Sequence, residues 1–309
     1  MSTISAKDVR ELRERTGAGM MDCKKALAES NGDMEAAIDW LRKKGLSAAA
    51  KKSGRAAAEG LVGVLTSGMR GVLVEVNAET DFVARNEKFQ QYVETVTELA
   101  MSETADLEKL RSIPYPNSDR SVADELTHLV SIIGENLSLR RVTSLEVKQG
   151  IISSYLHTPT TDTLGRIGVL VALESTGNVN ELQIVGKHIA MHICAANPQA
   201  CYIEDLSPET IAREEAIYVE KAKASGKPAE FIQKMVEGQL RKFYETAVLV
   251  EQIFLIDDSK RKIKQVIEDI AKKLGTPVKL KGFAQFRLGE GVEKKAGDFA
   301  SEVAAQLKS

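Results

Sequence analysis

His188 and His192 stand four residues apart in a stretch of helical periodicity, which would set two imidazoles on one helix face at a metal-pair spacing. The residues after His188 are Ile189-Ala190-Met191, so the general-base glutamate of a zinc hydrolase is missing, and no third ligand is evident. The pair therefore reads as helix packing, in a core or against another protein, and no metal is assigned. Ser225-Gly226-Lys227-Pro228 carries the last part of a phosphate-loop pattern, but lacks the upstream glycine and has proline where the hydroxyl residue belongs. Gly289-Glu290-Gly291 is a glycine pair outside any strand-to-helix setting, and no GxSxG elbow occurs. His128 and His157 are isolated. Cys23, Cys194 and Cys201 are widely spaced and form no CxxC pair, so neither a disulfide framework nor a zinc ribbon is suggested. The expectation is a protein without covalent chemistry or cofactor.

What positions these residues is an ordinary globular chain. Its 309 residues correspond to about two domains, with 43% hydrophobic and 28% charged residues. That composition excludes extended disorder and a collagen-like rod, and no apolar run is long enough for a membrane helix. A net charge of -2 argues against a generic polyanion binder. Met1-Ser2-Thr3-Ile4-Ser5 has no basic segment followed by an apolar one, so a reduced, cytoplasmic protein is expected.

The first 55 or so residues predict three short helices: Ser5 to Arg15, Met21 to Ser30, and one capped by Asp33 that stops at Gly45. The module ends in Arg42, Lys43, Lys44, Lys51, Lys52 and Arg55 with no acid among them. Its only nearby aromatic, Trp40, falls near the core face, and no stacking platform follows. A solvated linker is expected there, without direct nucleic-acid binding.

The next part is written twice. Gly71-Val72-Leu73-Val74-Glu75 parallels Gly168-Val169-Leu170-Val171-Ala172, and each follows a strand that begins after Gly60 or Gly150. The second hairpin is longer, carrying Thr158-Pro159-Thr160-Thr161-Asp162. Helices are predicted at Glu87–Met101 and Val122–Leu137 before a strand near Arg140–Val147, and at Val179–Ala196 and Ser259–Leu274 before a strand near Val278–Leu288. Each unit reads β-β-α-α-β, an α+β layer with helices on one sheet face. Between the helices of the second unit, Ser207-Pro208-Glu209 opens an inserted helix, and Ile232, Met235, Val236, Gln239, Leu240 and Phe243 form a stripe on its return. An antiparallel helical hairpin is expected, and an arm for a partner or second subunit stays open.

One segment is not required by the duplication. Thr80-Asp81-Phe82-Val83-Ala84-Arg85-Asn86 follows the first unit's central strand, where the second unit has the plain turn Ser175-Thr176-Gly177-Asn178. In one reading Asp81 caps a helix and Phe82 packs inward. In the other, an exposed phenylalanine beside a carboxylate is a wedge for a partner.

Leu12-Arg13-Glu14-Arg15-Thr16-Gly17-Ala18-Gly19-Met20-Met21-Asp22-Cys23-Lys24-Lys25-Ala26-Leu27 resembles the N-terminal signature of bacterial elongation factor Ts, and Glu79-Thr80-Asp81-Phe82-Val83-Ala84 its central signature. Ile133-Gly134-Glu135-Asn136, Arg140-Arg141, the His188 to His192 stretch, and Gly289-Glu290-Gly291 with Asp298-Phe299-Ala300 extend the likeness over nearly the whole chain. Its main departures are the hairpin at 158–163 and the segment 257–276. The resemblance implies a guanine-nucleotide exchange factor for elongation factor Tu in translation. It further implies a ubiquitin-associated-like (UBA-like) module at 1–55, core subdomains at 56–148 and at 149–206 with 245–288, a hairpin at 207–244 and a C-terminal module with a helix at 289–309. By the same resemblance Thr80, Asp81, Phe82 and Val83 would meet the partner's GTPase domain near its magnesium and phosphates. Arg13, Met20 and Met21 would touch that domain, and His157 another. A dimer of two such complexes is left open.

Overall fold

The computed structural model describes residues 4–224 and 228–292. The N-terminal module is built from α1 (Ala6–Thr16), α2 (Met20–Glu29) and α3 (Met34–Lys52). Ser5 and Asp8 exchange hydrogen bonds in a capping box, Gly17 closes α1 at φ 67°, and Asp33 accepts from the Ala36 N–H to start α3. Leu12, Cys23, Ala26, Leu27 and Ala37 are its fully buried centre. The expected stop at Gly45 is corrected, because α3 continues to Lys52. Gly45 is a contact rather than a cap: a Cβ there would come within 3.2 Å of the Ser131 Cβ, so its absence lets two helices approach. The stretch 42–52 is accordingly helix, not linker.

The rest is a mixed α+β body. Its first half runs β1 (Glu59–Ser67), β2 (Arg70–Ala78), α4 (Glu87–Ser102), α5 (Leu107–Ser112), α6 (Val122–Ile133) and β3 (Leu137–Glu146). The second runs β4 (Gly150–Pro159), β5 (Leu164–Glu174), α7 (Val179–Ala196), α8 (Pro208–Lys223), α9 (Ala229–Ala247), α10 (Ile263–Leu274) and β6 (Lys279–Arg287). Two boundaries differ from expectation. Gly134, at φ 87°, ends α6 ahead of Leu137. The start of α10 moves to Ile263 because the Asp257 carboxylate binds Ser259 and Arg261 in a preceding turn. The short α5 was not anticipated.

All strand pairs are antiparallel, in the order β3-β2-β1-β5-β4 with β6 also on β5. The halves join edge to edge through the short pairing Val62↔Gly165 and Gly63↔Leu164. They also meet face to face. Leu61, Val72, Val74 and Val76 face α4 and α6, while Val62, Val64 and Leu73 pack on Ile152, Leu170, Ala172 and Phe286 of the second half. Burial on both faces explains the unbroken apolar run Val72-Leu73-Val74 in β2, with Glu75 and Asn77 as its buried polar residues. The duplication extends to backbone detail. Gly60 and Gly150 both have φ 121°, and a Cβ would lie 2.2 Å from the Val76 carbonyl oxygen or 2.1 Å from that of Leu173. The register shifts fall at matching places, Glu75/Val76 and Ala172/Leu173.

In the insertion, Ser207 caps α8 through the Thr210 N–H, and α8 packs on α9. Along the α9 stripe Val236 is buried while Gln239 is exposed. The expected C-terminal helix and Asp298-Phe299-Ala300 lie outside the described residues, as does the turn at 225–227. No helix among the described residues is long and apolar enough to cross a membrane.

Candidate protein-binding surface

Strand β2 ends at Ala78, and the chain must turn before Asn86 starts α4. Asn86 is the cap, its side chain accepting from the N–H groups of Lys88 (3.0 Å) and Phe89 (3.2 Å). Asp81 is therefore free of the capping role considered for it, and its carboxylate accepts no hydrogen bond among the described residues. Phe82 does not pack inward: it is 75% exposed, whereas the neighbouring Val83 is buried at 4%. Val83 is the anchor of a single 3-10 turn (Val83–Arg85), and Phe82 is the residue that turn presents.

The turn is braced from the far end of α6. Thr80 donates its backbone N–H (2.9 Å) and its hydroxyl (2.7 Å) to the two carboxylate oxygens of Glu135. One residue either way, the Asn136 N–H donates to Glu79 Oε1 at 2.6 Å. The Asn136 side chain donates in turn to the Arg55 carbonyl, and Arg55 pairs with Glu79. Four charge-assisted or neutral bonds thus hold Glu79-Thr80 and fix the direction of the next two residues. At the matching place the second half has a turn in which Ser175 Oγ accepts from the Gly177 N–H and Asn178 caps α7. Among the described residues it has a single long-range side-chain bond, between the Thr176 and Thr276 hydroxyls (2.6 Å), and no carboxylate.

The same end of α6 carries the N-terminal module. Gly17, between α1 and α2, faces Ile132 and Lys88 so closely that a Cβ would come within 3.1 Å of the Ile132 Cδ1. Beyond that contact Met20 (56%) and Met21 (76%) are exposed, and Arg13 is exposed on α1. His157 is exposed on β4, 3.1 Å from the Tyr155 hydroxyl through Nδ1. Thr158, its neighbour, lines one cleft with Asp81. So the structure brings Asp81 near the His157 hairpin and sets the module's turn against Ile132, three residues before Glu135 of the Thr80 brace. Thr80 and Val83 hold this surface from inside rather than forming its outer face. Sequence reasoning missed the brace itself, although both segments had been singled out. Nothing local in either announces that residues 55 positions apart will pair.

The other candidate chemistry is absorbed by structure. His192 is fully buried, its Nδ1 accepts the Leu255 N–H (3.3 Å), and its Nε2 therefore carries the proton to Gln252 Oε1 at 2.8 Å. Burial holds its pKa below the ordinary histidine value, partly offset by the Gln252 bond, so the ring stays neutral. His188 is half-buried on the same helix, and no metal-binding group of His, Cys, Asp and Glu exists among the described residues. Gly289 is no phosphate loop. Its N–H donates to Glu75 (2.9 Å), a fully buried carboxylate also bound by Asn77, Arg140 and Arg141. Burial alone would raise the Glu75 pKa, but the Gly289, Asn77 and Arg141 bonds outweigh it and hold it below the ordinary carboxylate value.

The α+β body thus carries a braced turn that exposes Phe82 beside the Asp81 carboxylate, which accepts no hydrogen bond among the described residues. The family model described as Elongation factor TS matches residues 79–290, and the chain belongs to that family. Full-length relatives include the elongation factor Ts of Rhodospirillum centenum, 60% identical over 99% of both chains. That of Paramagnetospirillum magneticum is 58% identical over 99% of this chain and 98% of its own, and that of Rhodospirillum rubrum 57% over the whole of both.

Proposed function

We propose that this protein is the guanine-nucleotide exchange factor for elongation factor Tu, acting in translation elongation through protein contacts alone. The exposure of Phe82 on a turn braced by Glu135 supports this reading. Asp81 and Phe82 enter the partner's GTPase domain, where the carboxylate disturbs the magnesium shell and the ring keeps the site open. Arg13, Met20 and Met21 of a UBA-like module (1–55) contact the same domain, and His157 a second one. Thr80 and Val83 keep the wedge aimed.

Such a protein needs no nucleotide site. It must prefer the partner's nucleotide-free form, and by reciprocity GDP and this protein then weaken each other's binding. Accelerating release about ten-thousandfold means lowering the barrier by roughly 5.5 kcal/mol. Burying one phenylalanine gives about 1.5–3 kcal/mol. Phe82 therefore works with the other contacts, which hold the partner distorted. The test is release of fluorescent GDP from purified elongation factor Tu with this protein substoichiometric. Fast release with turnover supports the proposal; binding without acceleration would reduce the protein to a binding scaffold.

A further inference from the structure

The long β4–β5 hairpin departs from the family likeness, yet it ends beside the family's central motif. Its tip is not loose. The Thr161 hydroxyl donates to Glu94 Oε1 on α4 (3.1 Å), with the Thr163 hydroxyl at 3.4 Å from the same oxygen. Thr161 Oγ1 also accepts from the N–H groups of Thr163 and Leu164. The Thr163 carbonyl accepts from the Val64 N–H at 2.8 Å, where β1 and β5 join. The second half's hairpin is thereby fastened onto the first half, against the helix that Asn86 starts.

A cleft of about 280 Å³ is lined by Thr158, Pro159 and Thr160 of the hairpin, by Asp81 and Arg85 of the turn after β2, and by Arg166. Thr158 adopts φ 52°, which turns the chain at the cleft's edge. Arg166 is engaged by Glu59 at 2.8 Å. Arg85 is exposed, and its guanidinium has no ion pair among the described residues. The uncommitted Arg85 guanidinium, which lines the cleft with Thr158, Thr160 and the Asp81 carboxylate, suits a carboxylate, which accepts bidentate bonds from arginine and single bonds from threonine.

We infer that this cleft is a second contact for elongation factor Tu, taking a carboxylate-bearing segment of its GTPase domain and setting how deep the neighbouring Phe82 enters. The inference rests on the exchange reading above. Arg85 is a positioning residue: it fixes where the partner sits, and Asp81 and Phe82 act on the site.

The experiment compares the full-length wild type with Arg85→Glu, Arg85→Lys and the control Lys109→Glu, an exposed change on α5 outside the interface. Affinity for nucleotide-free elongation factor Tu is measured by calorimetry, association rate against salt by stopped flow, and GDP release at saturating exchange factor. Thermal melts confirm folding. Charge reversal should weaken binding at least about tenfold and flatten the salt dependence of association, while Arg85→Lys, which keeps the charge but loses the bidentate fork, should lose less affinity than Arg85→Glu and keep the salt dependence of wild type. Lys109→Glu should match wild type. If Arg85→Glu, folded, binds and associates like wild type while wild type exchanges, the cleft contact is overturned and the exchange reading stands. If wild type binds without accelerating release, the exchange reading fails and the affinity comparison still judges the cleft. Absence of any binding overturns both.

Discussion

Thr80 and Glu135 lie 55 residues apart, yet both carboxylate oxygens of Glu135 are occupied by Thr80, one by its N–H and one by its hydroxyl. The relationship joins the end of a strand to the end of a helix and leaves Asp81 and Phe82 no freedom to fold back. Removing it should separate the direction of the wedge from its chemistry. Glu135→Ala should cost about 1.5–3 kcal/mol in urea unfolding, as expected for hydrogen bonds to a charged group. It should also speed amide exchange at Thr80 and slow nucleotide exchange with Asp81 and Phe82 untouched. Unchanged GDP release at full stability loss would show that the brace matters to folding alone.

Phe82→Ala should do the opposite. A side chain 75% exposed contributes little to folding, so stability should stay within about 0.5 kcal/mol of wild type. GDP release from elongation factor Tu should nevertheless fall well below wild type. A variant that exchanges as fast as wild type would remove the wedge from the mechanism.

Glu75 carries a prediction about acid. Its carboxylate is bound by Gly289, Asn77, Arg140 and Arg141, and its folded pKa lies below its free value of 4.5. A depressed carboxylate stabilises fully above its unfolded pKa and loses that contribution as pH falls through the folded value. Glu75→Ala should cost about 3 kcal/mol at neutral pH by leaving two arginines without their buried partner. The gap from wild type should narrow only below about pH 4.5, followed by urea midpoints across acid pH. A gap that stayed constant into strong acid would contradict this assignment.

Gly60 and Gly150 offer a test of the duplication. Both sit at φ 121° with a carbonyl oxygen where a Cβ would go. Each change to alanine should destabilise by about 2–6 kcal/mol, strain and overpacking together. Similar losses at the two positions are expected, and thermal melts of the two variants would reveal any inequality.

Much of this was readable from residue order. The capping residues Ser5, Asp33 and Ser207 state their helices locally, and the paired glycines and Val-Leu strands announce the repeat. Gly45 misled because a glycine that ends a helix and one that admits a neighbouring helix look alike until Ser131 is seen opposite it. For the Asp-Phe turn the sequence held two readings. Asn86, five residues past Asp81, takes the cap, and Phe82 is exposed, so the capping and inward-packing reading does not hold. The Glu135 brace and the hairpin's hold on Glu94 were illegible for another reason. They are long-range pairings, and only the folded sheet brings their partners together.

Gly289 packs so tightly on Ala58 that a Cβ would lie 2.2 Å from the Ala58 carbonyl oxygen. The double-repeat body therefore starts and finishes at one point, like a closed ring with its two ends tied. Whatever precedes Ala58 and whatever follows Gly289 leave from the same spot. The helical module, docked on α6 at Gly17 and Gly45, thus enters the body at the point where its last described turn closes.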